Sequence, residues 1–346
     1  LAFNISPGNT NEQGTLTPTE EKILKDFELS KFIVCTDAGL ASTDNRKFNN
    51  KDERAFITTQ SIKKLKKHLK EWALTKTGWK LSGDLKEYDI SKLEESEETI
   101  EKYKTKVFYK ERWIKEDGLE QKFIVTFSLK YKYYQQQIRN NQIERAQKAM
   151  NNKNFKLEKC NQNDYKRFIT KTAVTKDGEV ADNNVLSLNT KQIEKEEQYD
   201  GFYGVCTNLD DNAEEIIKIN QRRWEIEESF RIMKSEFKAR PVYLSRDDRI
   251  TAHFTTCFLA LVLHRYLEKE LEEKYTATQI IDTLRNMNLI KHNEDGYIPV
   301  FTRTDITDDL HKKFDFRIDY EIVNKKNLKN ILKKIKNQKH CANLES

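Results

Sequence analysis

One stretch of the chain, Asn220-Gln221-Arg222-Arg223-Trp224-Glu225-Ile226-Glu227-Glu228-Ser229-Phe230-Arg231-Ile232-Met233-Lys234, sets three carboxylates among four cationic side chains. Read as a helix at about 100° per residue, with Arg223 as zero, Lys234 falls at about 20°, Glu227 at about 40° and Asn220 at about 60°. These four make one narrow polar stripe. Ile219, Ile226, Phe230, Met233 and Phe237 fill the adjacent arc, at roughly −20° to −80°. Glu227 is therefore expected to border the buried face, with Glu228 and Glu225 projecting away at about 140° and 200°. A carboxylate held between a guanidinium and an ammonium is positioned and ionised, which suits a metal ligand or a phosphate-handling site. The same charges also read as an ordinary surface ladder worth a few tenths of a kcal/mol, roughly 0.2–0.5 per pair.

Asp37 adds a second acid. It follows the apolar run Phe32-Ile33-Val34-Cys35, and the carboxyl ends of strands in open α/β sheets are where ligands and reacting groups gather. An Asp there equally caps the next turn. A strand-end Asp and a helix-edge Glu are both hard oxygen donors, with no Cys/His cluster beside them. That pairing favours Mg2+ or Mn2+ over zinc.

The elements that must position these acids follow an α/β pattern. Residues 1–6 read as a strand, Thr17 to Leu29 as a helix capped by Thr17 or Thr19, and Lys31 to Thr36 and Arg54 to Thr59 as short strands. Residues 75–200 read as a charged, β-rich block with strands at 107–109, 123–127 and 165–174 around a helical stretch at 132–152. The α/β pattern returns with a strand from Phe202 to Thr207. A single long helix is expected next, from Asp211 to about Phe237, with Glu214 completing a capping box. Ile250 to Leu267 is a second apolar helix, and a Tyr297–Phe301 strand lies among smaller helices beyond it. At the C-terminus Leu328, Ile331, Leu332 and Ile335 keep amphipathic helical spacing. Seven lysines there face only Glu321 and Glu345, so this helix either tracks phosphates or is a solvated end.

Composition narrows the function classes. The chain has 346 residues, 34% of them charged and 37% hydrophobic, against typical values of about 25% and 45–50%. Its 18 Phe, 14 Tyr and 4 Trp mark a folded protein with a highly charged surface. Ten Gly, four Pro and no GxGxxG or GxxxxGK string leave nucleotide-binding loops without support. No apolar run reaches the ~18 residues of a membrane span. Five scattered cysteines without a CxxC pair fit a reducing cytoplasm. The chain opens on Leu1-Ala2-Phe3-Asn4-Ile5, which reads as the end of a strand whose beginning lies upstream.

The spacing Arg223-(3)-Glu227-(6)-Lys234 is similar to the Y-(2)-R-(3)-E-(6)-K signature of bacterial insertion-sequence transposases of the DDE class, and the string Arg223-Trp224-Glu225-Ile226-Glu227-Glu228 strengthens the resemblance. Val34-Cys35-Thr36-Asp37-Ala38-Gly39 looks like that family's segment around the second catalytic Asp, and Pro7-Gly8-Asn9-x-x-Glu12 like the turn before it. The resemblance covers most of 1–265. It implies an N-terminally truncated RNase H-like core at 1–74 and 201–268 and a mainly β insertion at 75–200; beyond it the residues themselves read as a helical, basic C-terminal region at 269–346. It also implies Asp37 and Glu227 as catalytic metal ligands for Mg2+ or Mn2+, and Arg223 and Lys234 as contacts to DNA phosphates; Arg231, from its charge, and Asn220, at the signature Tyr position, are expected to contact DNA as well. The partners implied are double-stranded DNA at terminal repeats and target sites, and a second copy of the chain on the paired ends. Asn220 stands where the signature has Tyr. The first catalytic Asp is expected upstream of residue 1, so the chain as it stands is expected to bind DNA without cutting it. The competing readings are a catalytically inactive DNA-binding remnant and a junction resolvase; the β block and the Glu227 helix argue against the latter. Trp113, with Tyr131, Tyr133 and Tyr134, is expected either to stack on unpaired bases at a cut end or to fill the core of a small sheet.

Overall fold

The computed structural model describes residues 3–29, 31–51, 53–152, 155, 163–174, 183–292 and 296–337. Leu1 and Ala2 of the expected first strand, and Lys339 of the basic tail, lie outside the described residues. The chain divides into two compact units, Ser6–Arg223 and Leu1–Ile5 with Trp224–Ser346.

The Ser6–Arg223 unit is built on a mixed sheet. Its strands are β1 (Phe32–Thr36), β2 (Arg54–Thr59), β3 (Trp79–Leu81), β4 (Glu87–Tyr88), β5 (Phe108–Glu116) and β6 (Leu119–Phe127), while β7 (Ile169–Val174) and β8 (Asn183–Leu188) pair separately and β9 (Phe202–Thr207) rejoins the sheet. The order is β1-β2-β9-β6-β5-β3-β4. β1 and β2 run parallel and the remaining pairings are antiparallel. β1 is an edge strand, paired only with β2 among the described residues.

Period-two alternation explains why this sheet is buried on both faces. Phe56, Phe108, Phe123 and Cys206 join a core with Trp79, Leu69 and Phe202. Their neighbours Ile57, Tyr109, Ile124 and Val205 face the other way and pack against Ile216. β5 and β6 are longer than the apolar runs suggest because Asp117 (φ 50) and Gly118 (φ 77) close them as a two-residue hairpin. Both residues take the positive φ of a type I′ turn, for which Asp-Gly is among the best sequences.

The unit's helices are α1 (Gln13–Asp26), α2 (Thr43–Phe48), α3 (Lys67–Leu74), α4 (Glu97–Tyr103), α5 (Leu129–Met150), α6 (Thr190–Glu197) and α7 (Ala213–Gln221). α1 starts before the expected Thr caps: Glu12 is its N-cap, and Thr19 spends its hydroxyl on the Thr15 carbonyl inside the helix. Of the strands in the 75–200 block, β3 to β6 belong to the main sheet while β7 and β8 pair apart from it. β6 pairs with β9 and β9 with β2, so one sheet runs across residues 74/75 and 200/201.

The second unit holds α8 (Trp224–Ser235), α9 (Asp247–Glu270), α10 (Ala277–Asn286), α11 (Asp305–Lys313) and α12 (Lys325–Asn337), with β10 (Leu289–His292), β11 (Gly296–Pro299) and β12 (Val323–Asn324) as a small antiparallel sheet. Ile232, Leu261 and Ala277 form one core cluster, and Leu271, Ile280, Ile306 and Leu310 another. α12 bears out the amphipathic helix read at the basic end. Residues 3–6 are not a strand; Phe3 instead stacks on Phe258 of α9, ring centroids 4.3 Å apart. Among the described residues no helix is long and apolar enough to cross a membrane.

Candidate active site

The long helix expected from Asp211 to Phe237 is two helices. Asn212, one residue after the expected start, caps α7 by accepting from the Glu214 amide at 3.1 Å. The helix ends by tightening: Arg222 N–H reaches the Ile219 carbonyl and Arg223 N–H the Asn220 carbonyl, i→i+3 bonds typical of a last turn. Arg223 then donates from Nη1 to Thr59 Oγ1 at 2.6 Å, tying the break to the end of β2. Asn220 lies on α7 and Arg223 just after it, while Glu227 and Lys234 lie on α8, so the four residues expected to share one continuous helix do not.

Asp37 sits one residue beyond β1, exposed. Its Oδ1 accepts from the Gly39 amide at 2.9 Å and the Leu40 amide at 3.2 Å, so it does cap the following turn. Two backbone donors to one oxygen fix the orientation of the carboxylate, while Oδ2 accepts no hydrogen bond among the described residues. A Cβ built on Gly39 would lie 3.2 Å from Asp37 Oδ1 and 3.5 Å from Glu12 Oε2. Two carboxylates thus flank one glycine. Asn45, buried on α2, holds this corner by donating to the Leu40 and Gln13 carbonyls, both at 3.0 Å. The sequence offers Glu12 only as the end of the Pro7-Gly8-Asn9-x-x-Glu12 string, not as a site residue; its place beside Gly39 comes from tertiary packing.

The strand behind Asp37 is firmly anchored. Thr36 and Thr58 share a buried hydroxyl hydrogen bond at 2.7 Å. Cys35 Sγ lies 3.8 Å from Asn220 Oδ1, and burial pushes the Cys35 thiol pKa up, partly offset by Arg223. Asn220 is itself buried. Its amide packs against β1 instead of meeting solvent.

On α8 the sequence expectation is reversed. Glu227 is exposed, and so are Ile226 and Phe230, which were expected to pack. Ile232 is the buried residue, and Glu228 is half-buried against α9. The cause is Arg265, which donates to Glu228 Oε2 at 3.3 Å, to the Glu225 carbonyl at 3.1 Å and to Ser229 Oγ at 3.0 Å. A guanidinium with five donors selects the helix face that offers it acceptors. Glu227 stands in the first turn of α8. Lys234 is exposed near the other end, and Arg231, also exposed, donates to Glu228 at 3.1 Å.

Trp113 is half-exposed on β5, with Lys122 Nζ 5.6 Å from its ring centroid. Tyr131 and Tyr134 stack at 6.4 Å, with Tyr134 exposed. Tyr133 packs on the sheet core and donates to Glu94 at 3.0 Å.

Two exposed oxygen donors at an element's end, Asp37 and Glu227, have the hard chemistry that divalent ions such as Mg2+ take. No curated protein and no solved structure matches the chain. Residues 117–263, from the β5–β6 turn through α8 into α9, are similar to the family described as the transposase DDE domain, a family that generally uses divalent metal ions and acts on DNA.

Proposed function

We propose that this chain is a DDE transposase component that binds the ends of an insertion sequence, with Asp37 and Glu227 as ligands for Mg2+ or Mn2+. The observation that carries the reading is the transposase-domain match over 117–263, which includes the Glu227 helix. The Asp37 carboxylate, oriented by two backbone amides with one oxygen open, supports it independently. A pair of divalent ions supplies activation of water or a DNA 3′-OH and charge stabilisation at the leaving oxygen of an in-line displacement. The chain's own residues hold and orient. Gly39 lets the turn after β1 close on the Asp37 carboxylate, and Glu12 adds negative charge beside it. Arg223 and Asn220 are positioning residues that fix α7 on β1 and β2. Arg231 and Lys234, exposed on α8, contact phosphates. Trp113 and Tyr134 offer exposed ring faces for unpaired bases. Two copies of the chain are proposed to act together on paired ends.

The test is the salt dependence of duplex binding, using DNA that carries the sequences flanking the chain's own coding region. Affinity should fall steeply as salt rises, and Lys234→Gln should reduce the log–log slope by about 1. Binding that is insensitive to salt would refute the DNA-end reading.

A further inference from the structure

Three side chains in the second unit converge without any part in the function proposed above. Asp308 and His311 lie at i and i+3 on α11, hence on one face, and Asp319 comes from the segment after the helix. One ligand-capable atom of each lies within 4.8 Å of the others. His311 is 2% exposed, yet neither Nδ1 nor Nε2 has a hydrogen-bond partner. Buried polar side chains are nearly always satisfied, so this imidazole calls for a physical account.

Its surroundings offer one. Phe316 stands edge-on to the ring at 4.8 Å and Phe301 lies at 6.4 Å. Nδ1 faces Asp319 Oδ1 at 3.9 Å, too far for a hydrogen bond. Two ligands at about 2.0–2.2 Å from one tetrahedral ion stand roughly 3.3–3.6 Å apart, so a small rotation of the Asp319 carboxylate would bring the pair to ligating distance.

Both carboxylates are already held in orientation. Arg317 grips Asp319 with Nε and Nη2 at 2.8 and 2.7 Å, and Arg303 Nε donates to Asp308 Oδ1 at 2.6 Å. Each carboxylate oxygen has a second lone pair, so these guanidiniums can orient ligating carboxylates from outside, as outer partners do at metal sites. One imidazole with two carboxylates favours zinc over the all-oxygen preference of Mg2+.

We infer that Asp308, His311 and Asp319 form a structural site for a zinc-class divalent cation, which fastens the segment carrying Asp319 to α11. The test uses the full chain with Asp37→Ala and Glu227→Ala, so that the carboxylates assigned to the DNA chemistry cannot contribute. Equilibrium dialysis against Zn2+ alone should leave one zinc per chain. Asp308→Asn should weaken retention by more than roughly tenfold; with its side chain 38% exposed, this change leaves the apolar core untouched. His311→Ala should abolish retention. Co2+ in place of zinc should give a visible d–d spectrum that Asp308→Asn removes. The inference is overturned if the folded chain, checked by circular dichroism, retains no zinc, or if Asp308→Asn retains it as well as its parent.

Discussion

Replacing Glu228 with Gln should cost stability, whereas the same change at Glu227 should leave stability nearly intact and cost divalent-ion binding. The magnitude follows from the partners. Arg265 approaches Glu228 Oε2 with both terminal nitrogens at 3.3 Å, Arg231 reaches Oε1 at 3.1 Å, and the Glu228 side chain is 21% exposed. Losing that charge does not orphan Arg265, which keeps Glu268 at 2.6 Å, the Glu225 carbonyl and Ser229. The cost should therefore be that of one partly buried charge-assisted hydrogen bond, about 1.5 kcal/mol, not the 3–5 kcal/mol, roughly, of a stranded buried charge. Glu227 is exposed, and an exposed ion pair is worth about 0–1 kcal/mol. Urea unfolding, followed by tryptophan fluorescence and far-UV circular dichroism, reads both changes as midpoint shifts. A larger loss for Glu227→Gln than for Glu228→Gln would refute the reasoning, since it would mean that α8 packs through the opposite face.

Arg139 and Asp200 form a buried bidentate pair at 2.7 and 2.6 Å; Asp200→Leu alone should cost about 3 kcal/mol, while Arg139→Met with Asp200→Leu should recover most of it, because replacing both charges strands neither. Additive losses in that cycle would contradict the pairing. Lys110 is buried, donating to the Trp72 and Thr75 carbonyls, and burial lowers its pKa to about 8. Because the folded value lies below the unfolded one, the unfolded chain binds more protons in this window, and stability should rise by about 1 kcal/mol from pH 7.5 to pH 9. From about pH 8.5, the ordinary thiol value, the buried Cys206 thiol, pushed up to about 12, opposes part of this gain in parent and variant alike, so the Lys110 contribution is the difference between them. The rise should be absent in Lys110→Met. Gly39→Ala places a methyl 3.2 Å from Asp37 Oδ1; it should leave the unfolding midpoint nearly unchanged but weaken Mn2+ binding several-fold, as isothermal titration calorimetry can measure.

The strands that flank Asp37 are legible because short apolar runs between turn signals have few alternatives: β1, β2 and β9 lie where the pattern puts them. The β5–β6 hairpin is longer than its apolar runs, although Asp117-Gly118 announces its turn. The 75–200 block reads as separate because sequence order hides pairing; nothing local says that Lys122 to Phe127 will align beside Phe202 to Thr207. The Glu227 helix fails for a different reason. Helical periodicity finds a face but not which face a partner selects, and Arg265, far along the chain, turns Glu228 inward. The break at Arg222 and Arg223 has no Gly or Pro to mark it; a tertiary bond to Thr59 accompanies it. The buried His311 cluster carries no sequence signal beyond an Asp-x-x-His spacing, because its third member and its apolar walls come from tertiary packing.

The central claim is that Asp37 and Glu227 hold the divalent ions of a DNA-processing site. Titration of Mn2+ into the chain bound to end-bearing duplex, followed by electron paramagnetic resonance in an Asp308→Asn background, tests it directly. The account predicts saturable Mn2+ binding that Asp37→Ala and Glu227→Gln each weaken by more than roughly tenfold, and that Glu228→Gln leaves unchanged. Mn2+ binding of equal strength in all of these variants would contradict it.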